Sequence, residues 1–149
     1  MIRFLSVTED KNLPIRKASA VMKRGAAIVV NHADDTVAPA TAETGIFLVD
    51  VAPNYDGINA VIAPNDSAFE NIEVGQNVIS IPVYVGERFA TTECADNLSM
   101  GAGLKAEAGE FVAADGAYEF VFKGEYSDPT GLKMYIVEKV APVAATEAE

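Results

Sequence analysis

Short apolar runs, each stopped after about a dozen residues by Gly, Pro, Asn or Asp, constrain this chain more than any other feature. They leave room for strands and almost none for helices. The clearest run is Tyr118 to Tyr126, where Tyr118, Phe120 and Phe122 alternate with Glu119, Val121 and Lys123. Across Asp128-Pro129-Thr130-Gly131 it meets Leu132 to Val140, which also alternates. Pro at the second and Gly at the fourth position of that tetrapeptide mark a type I turn, so the two runs predict a hairpin. Leu104 to Ala108 and Glu110 to Ala114 flank Gly109 as a second, tighter pair.

The N-terminal half reads the same way. Ser19 to Met22 and Ala26 to Asn31 flank Lys23-Arg24-Gly25 as two extended pieces around a turn, and the second is apolar enough to be interior. Gly45 to Val51 is a near-continuous apolar strand, with Gly57 to Ala63 as its expected partner. Gln76 to Val85 alternates but contains Pro82, which cannot donate to a ladder, so an edge or a bulge is expected there. Arg88 to Glu93 adds a short strand. The one helical candidate is Asn65 to Ile72, with Asn65, Asp66 or Ser67 as cap. About eight or nine strands with regular turn signals predict an all-β fold: a single compact β-barrel or β-sandwich with an extended N-terminal arm and at most one short helix. Residues 1–18 are read as an arm or first strand, 19–140 as the β domain, and 141–149 as an acidic C-terminal tail.

Charge and cysteine content narrow the function classes. The 149 residues carry a net charge of −11, unevenly placed: residues 1–24 hold six bases against two acids, whereas 25–149 hold five bases against twenty acids. An acidic body repels phosphate backbones, so nucleic acid is not an expected partner. Cys94 is the single cysteine, and the opening Met-Ile-Arg-Phe-Leu-Ser lacks the apolar core of a signal peptide, so synthesis in a cytoplasm is expected. Apolar runs fall well short of the ~20 residues of a spanning helix, and no membrane role is expected.

The residues offer little for catalysis. His32 is the only histidine and sits in a turn-like segment beside Asn31, Asp34 and Asp35, so neither a nucleophile triad nor a histidine-rich metal site has support. Cys94 has no second cysteine for zinc or redox chemistry. Gly101-Ala102-Gly103 lacks the third glycine and following helix of a phosphate loop. Asp34-Asp35 and the group Asp50, Asp56 and Asp66 do not follow the spaced ligand pattern of a calcium loop. Tyr55, Tyr84, Tyr118, Tyr126 and Tyr135 fall mostly at strand positions, where packing is the default. No catalytic residue, cofactor or metal ligand is expected.

What remains is surface. Residues 1–16 carry Phe4, Leu5, Val7, Leu13 and Ile15, more apolar side chains than a solvated tail needs, so the segment packs either on its own domain as a first strand or on a neighbouring chain. The expected contact residues, whether toward another copy or another partner, are Arg3, Phe4, Leu5, Val7, Leu13, Ile15 and Arg16. The stretch Leu5-Ser-Val-Thr-Glu-Asp-Lys-Asn-Leu-Pro-Ile-Arg-Lys17, the segment Glu87-Arg-Phe-Ala-Thr-Thr-Glu93 and the closing hairpin from Phe122 to Glu138 together resemble the small head decoration, or cement, proteins of tailed bacteriophages. That resemblance implies a non-enzymatic virion protein on the capsid exterior. It also implies the major capsid protein and further copies of itself, commonly in a trimer, as partners. Other readings are a different phage virion β protein, such as a tail-tube or fibre-base component, and a small ligand-binding β-barrel. Removal of residues 1–16 is expected to leave a folded protein that no longer binds shells.

Overall fold

Three strands of this chain are apolar on both faces, and the reason is their place between two cores. In the computed structural model, which describes residues 2–7, 13–51, 71–127 and 131–145, they are β4 (Ala27–Asn31), β6 (Phe47–Val51) and β8 (Asn77–Ile81). Alternate residues divide cleanly. Ile28, Val49 and Val78 point into a closed five-stranded barrel, whereas Ala27, Leu48 and Ile81 point out of it into a second core shared with a six-stranded sheet. A strand that serves as such a wall has no polar face to spare.

The barrel runs in the order β2 (Ile15–Ala18), β5 (Thr36–Pro39), β4, β6, β8 and closes from β8 back to β2. β2 pairs parallel with β5 and antiparallel with β8; the other ladders are antiparallel. A two-residue pair, β3 (Met22–Lys23) with β7 (Asn71–Ile72), adds Met22 and Ile72 to the barrel core. The six-stranded antiparallel sheet has the order β1 (Ile2–Ser6), β9 (Arg88–Thr91), β13 (Lys133–Val143), β12 (Tyr118–Ser127), β10 (Gly103–Glu107), β11 (Glu110–Ala113). Its inner face supplies Phe89, Phe111 and Phe120, all fully buried, with ring centroids 5.2 to 6.0 Å apart in tilted or edge-to-face pairs. Each such ring contributes about 1.5–3 kcal/mol by leaving water.

Backbone bonds join the layers as well. Ala108 and Gly109 both have positive φ, the geometry of a two-residue type I′ hairpin turn, and the tip they form docks on the barrel. There Gly109 N–H donates to Ala40 O at 2.9 Å and Gly109 O accepts from Ala27 N–H at 2.8 Å. Ala42 and Ala106 exchange two further bonds.

The all-β expectation holds: the described residues contain thirteen strands and no helix. The count exceeds eight or nine because residues 1–18 supply two strands, β5 lies where no strand was expected, and β3 and β7 have two residues each, too few to show a period. β3 and β4 flank the expected turn at Arg24-Gly25 but do not pair with each other; β3 pairs with β7 instead. Most of the helical candidate, residues 65–70, and all of the expected strand Gly57 to Ala63 lie outside the described residues. Asn71 and Ile72, the last two residues of that candidate, form β7. β6 has β4 and β8 as its described neighbours. β8 stops at Ile81, immediately before Pro82, where the missing N–H ends the ladder. Ala141 to Val143 continue β13, so the segment read as a tail from residue 141 begins as strand. The Phe122 to Glu138 hairpin forms with Ser127 opposite Lys133, and Asp128 to Thr130 of its turn lie outside the described residues.

Candidate interaction surface

The expected contact residues divide between two elements. Ile2–Ser6 form β1, the terminal strand of the six-stranded sheet, paired with β9 so that Arg3 lies opposite Ala90 and Phe4 opposite Phe89. Phe4 is half-buried, its ring 6.0 Å from that of Phe89. Leu5 and Val7 stand exposed, as do Leu13 and Ile15 on the approach to and first residue of β2. Pro14 O accepts from Ser80 N–H at 3.4 Å and Ser6 Oγ accepts from Arg88 N–H at 3.2 Å. The two apolar pairs therefore flank opposite ends of the Pro82–Glu87 connector between barrel and sheet.

Arg16 does something else. Opposite Val78 in the register, it shares the inward face of β2, and Nη1 donates to the buried Ser80 Oγ at 2.6 Å while Nε lies 3.0 Å from Asp35 Oδ1. It closes one end of the barrel. Ile15 and Arg16 thus belong to the barrel wall, and a deletion that reaches residue 16 cuts the wall as well as the segment before it.

The far edge of the sheet is guarded. Phe111 of β11 donates its N–H to Glu93 O at 3.1 Å and accepts from Ala95 N–H at 2.8 Å, so the Glu93–Ala95 segment lies along that edge. Covering an edge with a short segment is one way to prevent uncontrolled strand addition. Cys94 is buried in this strap; burial first, and the Glu110 charge next, push its thiol up to about 12.

The residues weighed for chemistry are dispersed. His32 is exposed in the β4–β5 turn. Asp50 is paired with Arg24 at 2.6 Å, whereas Asp56 and Asp66 lie outside the described residues. Among the described residues no three His, Cys, Asp or Glu converge as metal ligands. The barrel interior is filled by side chains including Met22, Ile28, Val37 and Ile72. A shallow depression of about 270 Å³ lies between the Thr41–Glu43 segment and Lys105–Glu107. Tyr135 is buried and its hydroxyl donates to Asp96 Oδ1; Tyr118 and Tyr126 are half-buried.

Charge pairing picks out residues that composition alone did not. Seven described cations, Arg16, Arg24, Arg88, Lys105, Lys123, Lys133 and Lys139, are in ion pairs. The remaining two whose side chains are described, Lys17 and Lys23, are in none. Both point outward in the row Leu13, Ile15, Lys17, Ser19, Val21, Lys23, every member of which is exposed while the even-numbered residues between them are buried or half-buried. Neither this alternation of exposure, which puts Leu13, Ile15 and Val21 outside and Arg16 inside, nor the lack of carboxylate partners was legible in the sequence. No family model, curated protein or solved structure matches this chain.

Proposed function

We propose that this protein is a structural component of a tailed-phage particle that binds the outer surface of the capsid and stabilises it without catalysis. The reading rests on the resemblance to head decoration proteins and is supported by one observation above all. Leu5, Val7, Leu13 and Ile15 stand 41, 54, 40 and 57 % exposed beside the terminal strand β1 and the barrel strand β2. Apolar side chains in such a series gain stability only when a partner covers them. On a closed shell, many weak contacts of this kind add through avidity, because each copy is held at high effective concentration once its neighbours are seated. The acidic body keeps free copies soluble.

The test removes the exposed apolar side chains. A variant with Leu5, Val7, Leu13 and Ile15 each changed to Ser retains the backbone of β1 and the whole barrel, with Arg16 in place. It is expected to keep its β-rich circular dichroism and to lose co-sedimentation with empty tailed-phage heads, to which the full chain binds saturably. Retained saturable binding by the folded variant, or no binding by the full chain, would overturn the proposal.

A further inference from the structure

The cation census singles out one face of the barrel. The chain has twice as many acids as bases, 22 against 11, so an unmatched cation has no shortage of potential partners. Among the described residues Lys17 and Lys23 nevertheless make no ion pair, and Lys17 reaches only Asn77 Oδ1, at 3.5 Å. Exposed apolar side chains stand among the polar ones around them: Ile15 and Val21 in the same outward row as Ser19, and Val74, 64 % exposed, beside Glu73 in the turn whose Gly75 N–H donates to Ala18 O. Lysines on a sheet edge commonly protect it from strand addition, but Lys17 stands on β2, which has strand neighbours on both sides and no edge to protect; Lys23 stands on β3, paired with β7.

The complement of this strip is on the same molecule. In the β10–β11 hairpin, Glu107 and Glu110 are directly opposite each other, both exposed, and neither is in an ion pair. Like charges facing across a ladder destabilise it. Lys105, on the same face, feels the Glu107 charge, but its ammonium is held by Asp115 at 2.9 Å and makes no ion pair with either glutamate. From the structure we infer that copies of this chain associate head to tail, the strip Ile15, Lys17, Val21, Lys23 and Val74 of one seating on the Glu107–Glu110 hairpin face of the next. Two different patches in contact make a heterologous interface, which closes into a ring or propagates according to its rotation. The inference rests on the assembly role proposed above only in holding that copies meet, and it needs no capsid.

Charge exchange tests it. Light scattering of the full chain at low salt is expected to give a mass above that of the monomer, falling as salt screens the contact. Lys17→Glu with Lys23→Glu, and separately Glu107→Lys with Glu110→Lys, are each expected to weaken association about tenfold or more. The chain carrying all four changes is expected to associate again, with circular dichroism confirming that every variant is folded. A full chain that stays monomeric at high concentration and low salt would overturn the inference. So would reversals that leave the mass unchanged, which place self-contact elsewhere, or a fourfold variant that does not recover. Binding to phage heads by a full chain that is monomeric in solution would leave the capsid proposal standing while removing this one.

Discussion

Gly103 owes its identity to the ring laid over it. A Cβ there would sit 2.5 Å from Cδ1 and 2.7 Å from Cγ of Tyr118, and atoms so near the root of that side chain cannot swing aside as a chain end could. Its φ lies outside the left-handed region, so the constraint is space and not backbone strain. Gly103→Ala must displace Tyr118 at the start of β12 or part β10 from β12, where Gly103 is opposite Val121. Overpacking of this kind costs about 1–3 kcal/mol. The expected result is a melting temperature lowered by several degrees, with Tyr118→Ala in the same chain relieving part of the loss; an unchanged melting temperature would show that the ring is free to move.

Among the elements, β2 is short yet decisive, since four residues close the barrel against both β5 and β8. Arg16 reinforces that closure through its hydrogen bond to Ser80, a hydroxyl that is 1 % exposed. Arg16→Ala leaves the hydroxyl in the wall without its donor, and the expected loss is about 1–3 kcal/mol, read as a lower urea midpoint with an unchanged slope. A midpoint equal to that of the parent would place the guanidinium outside the stabilising structure. Elements differ in the same way in how far the sequence reveals them. β10 with β11 and β12 with β13 are hairpins whose alternation and turn residues lie within a single window, and both were legible. The pairing of β2 with β8 joins residues some sixty positions apart, with Ile15 opposite Ile79, and depends on which surfaces close first, so no local pattern encodes it. Of the expected contact residues, the apolar ones stood out by composition, and Leu5, Val7, Leu13 and Ile15 are exposed. Arg16 was indistinguishable from a surface cation because its partners, Asp35 and Ser80, are supplied by the fold.

For the whole molecule, the distribution of paired charge sets how stability responds to pH. Glu138 lies on the outer face of the six-stranded sheet between Arg88 at 3.1 Å and Lys123 at 3.4 Å. Burial works against its charge, but the hydrogen bonds from the two cations outweigh it and hold the carboxyl below the usual glutamate range. Asp115 is likewise lowered, first by the hydrogen bond from Lys105. A carboxyl depressed in the folded state stabilises the fold in its ionised form. That contribution is complete above the unfolded range, near ~4 for carboxylates, and is lost as pH falls toward the folded value. Cys94 acts at the other end: its thiol is raised, so its contribution is complete below the ordinary thiol range near ~8.5 and is lost as pH rises toward about 12. General repulsion among excess acids works the other way in acid, since protonation lowers the net negative charge. The acid limb of stability is therefore a contest between the half-buried, doubly paired Glu138 and the relaxation of many exposed carboxyls. Glu138→Gln isolates the paired contribution. It is expected to lower the melting temperature at pH 6, with the gap to the parent closing as pH falls from 6 to 3, because the parent loses the charge that the variant never had. A gap that stays constant across that range would mean that packing at this position, and not the ion pair, accounts for the difference.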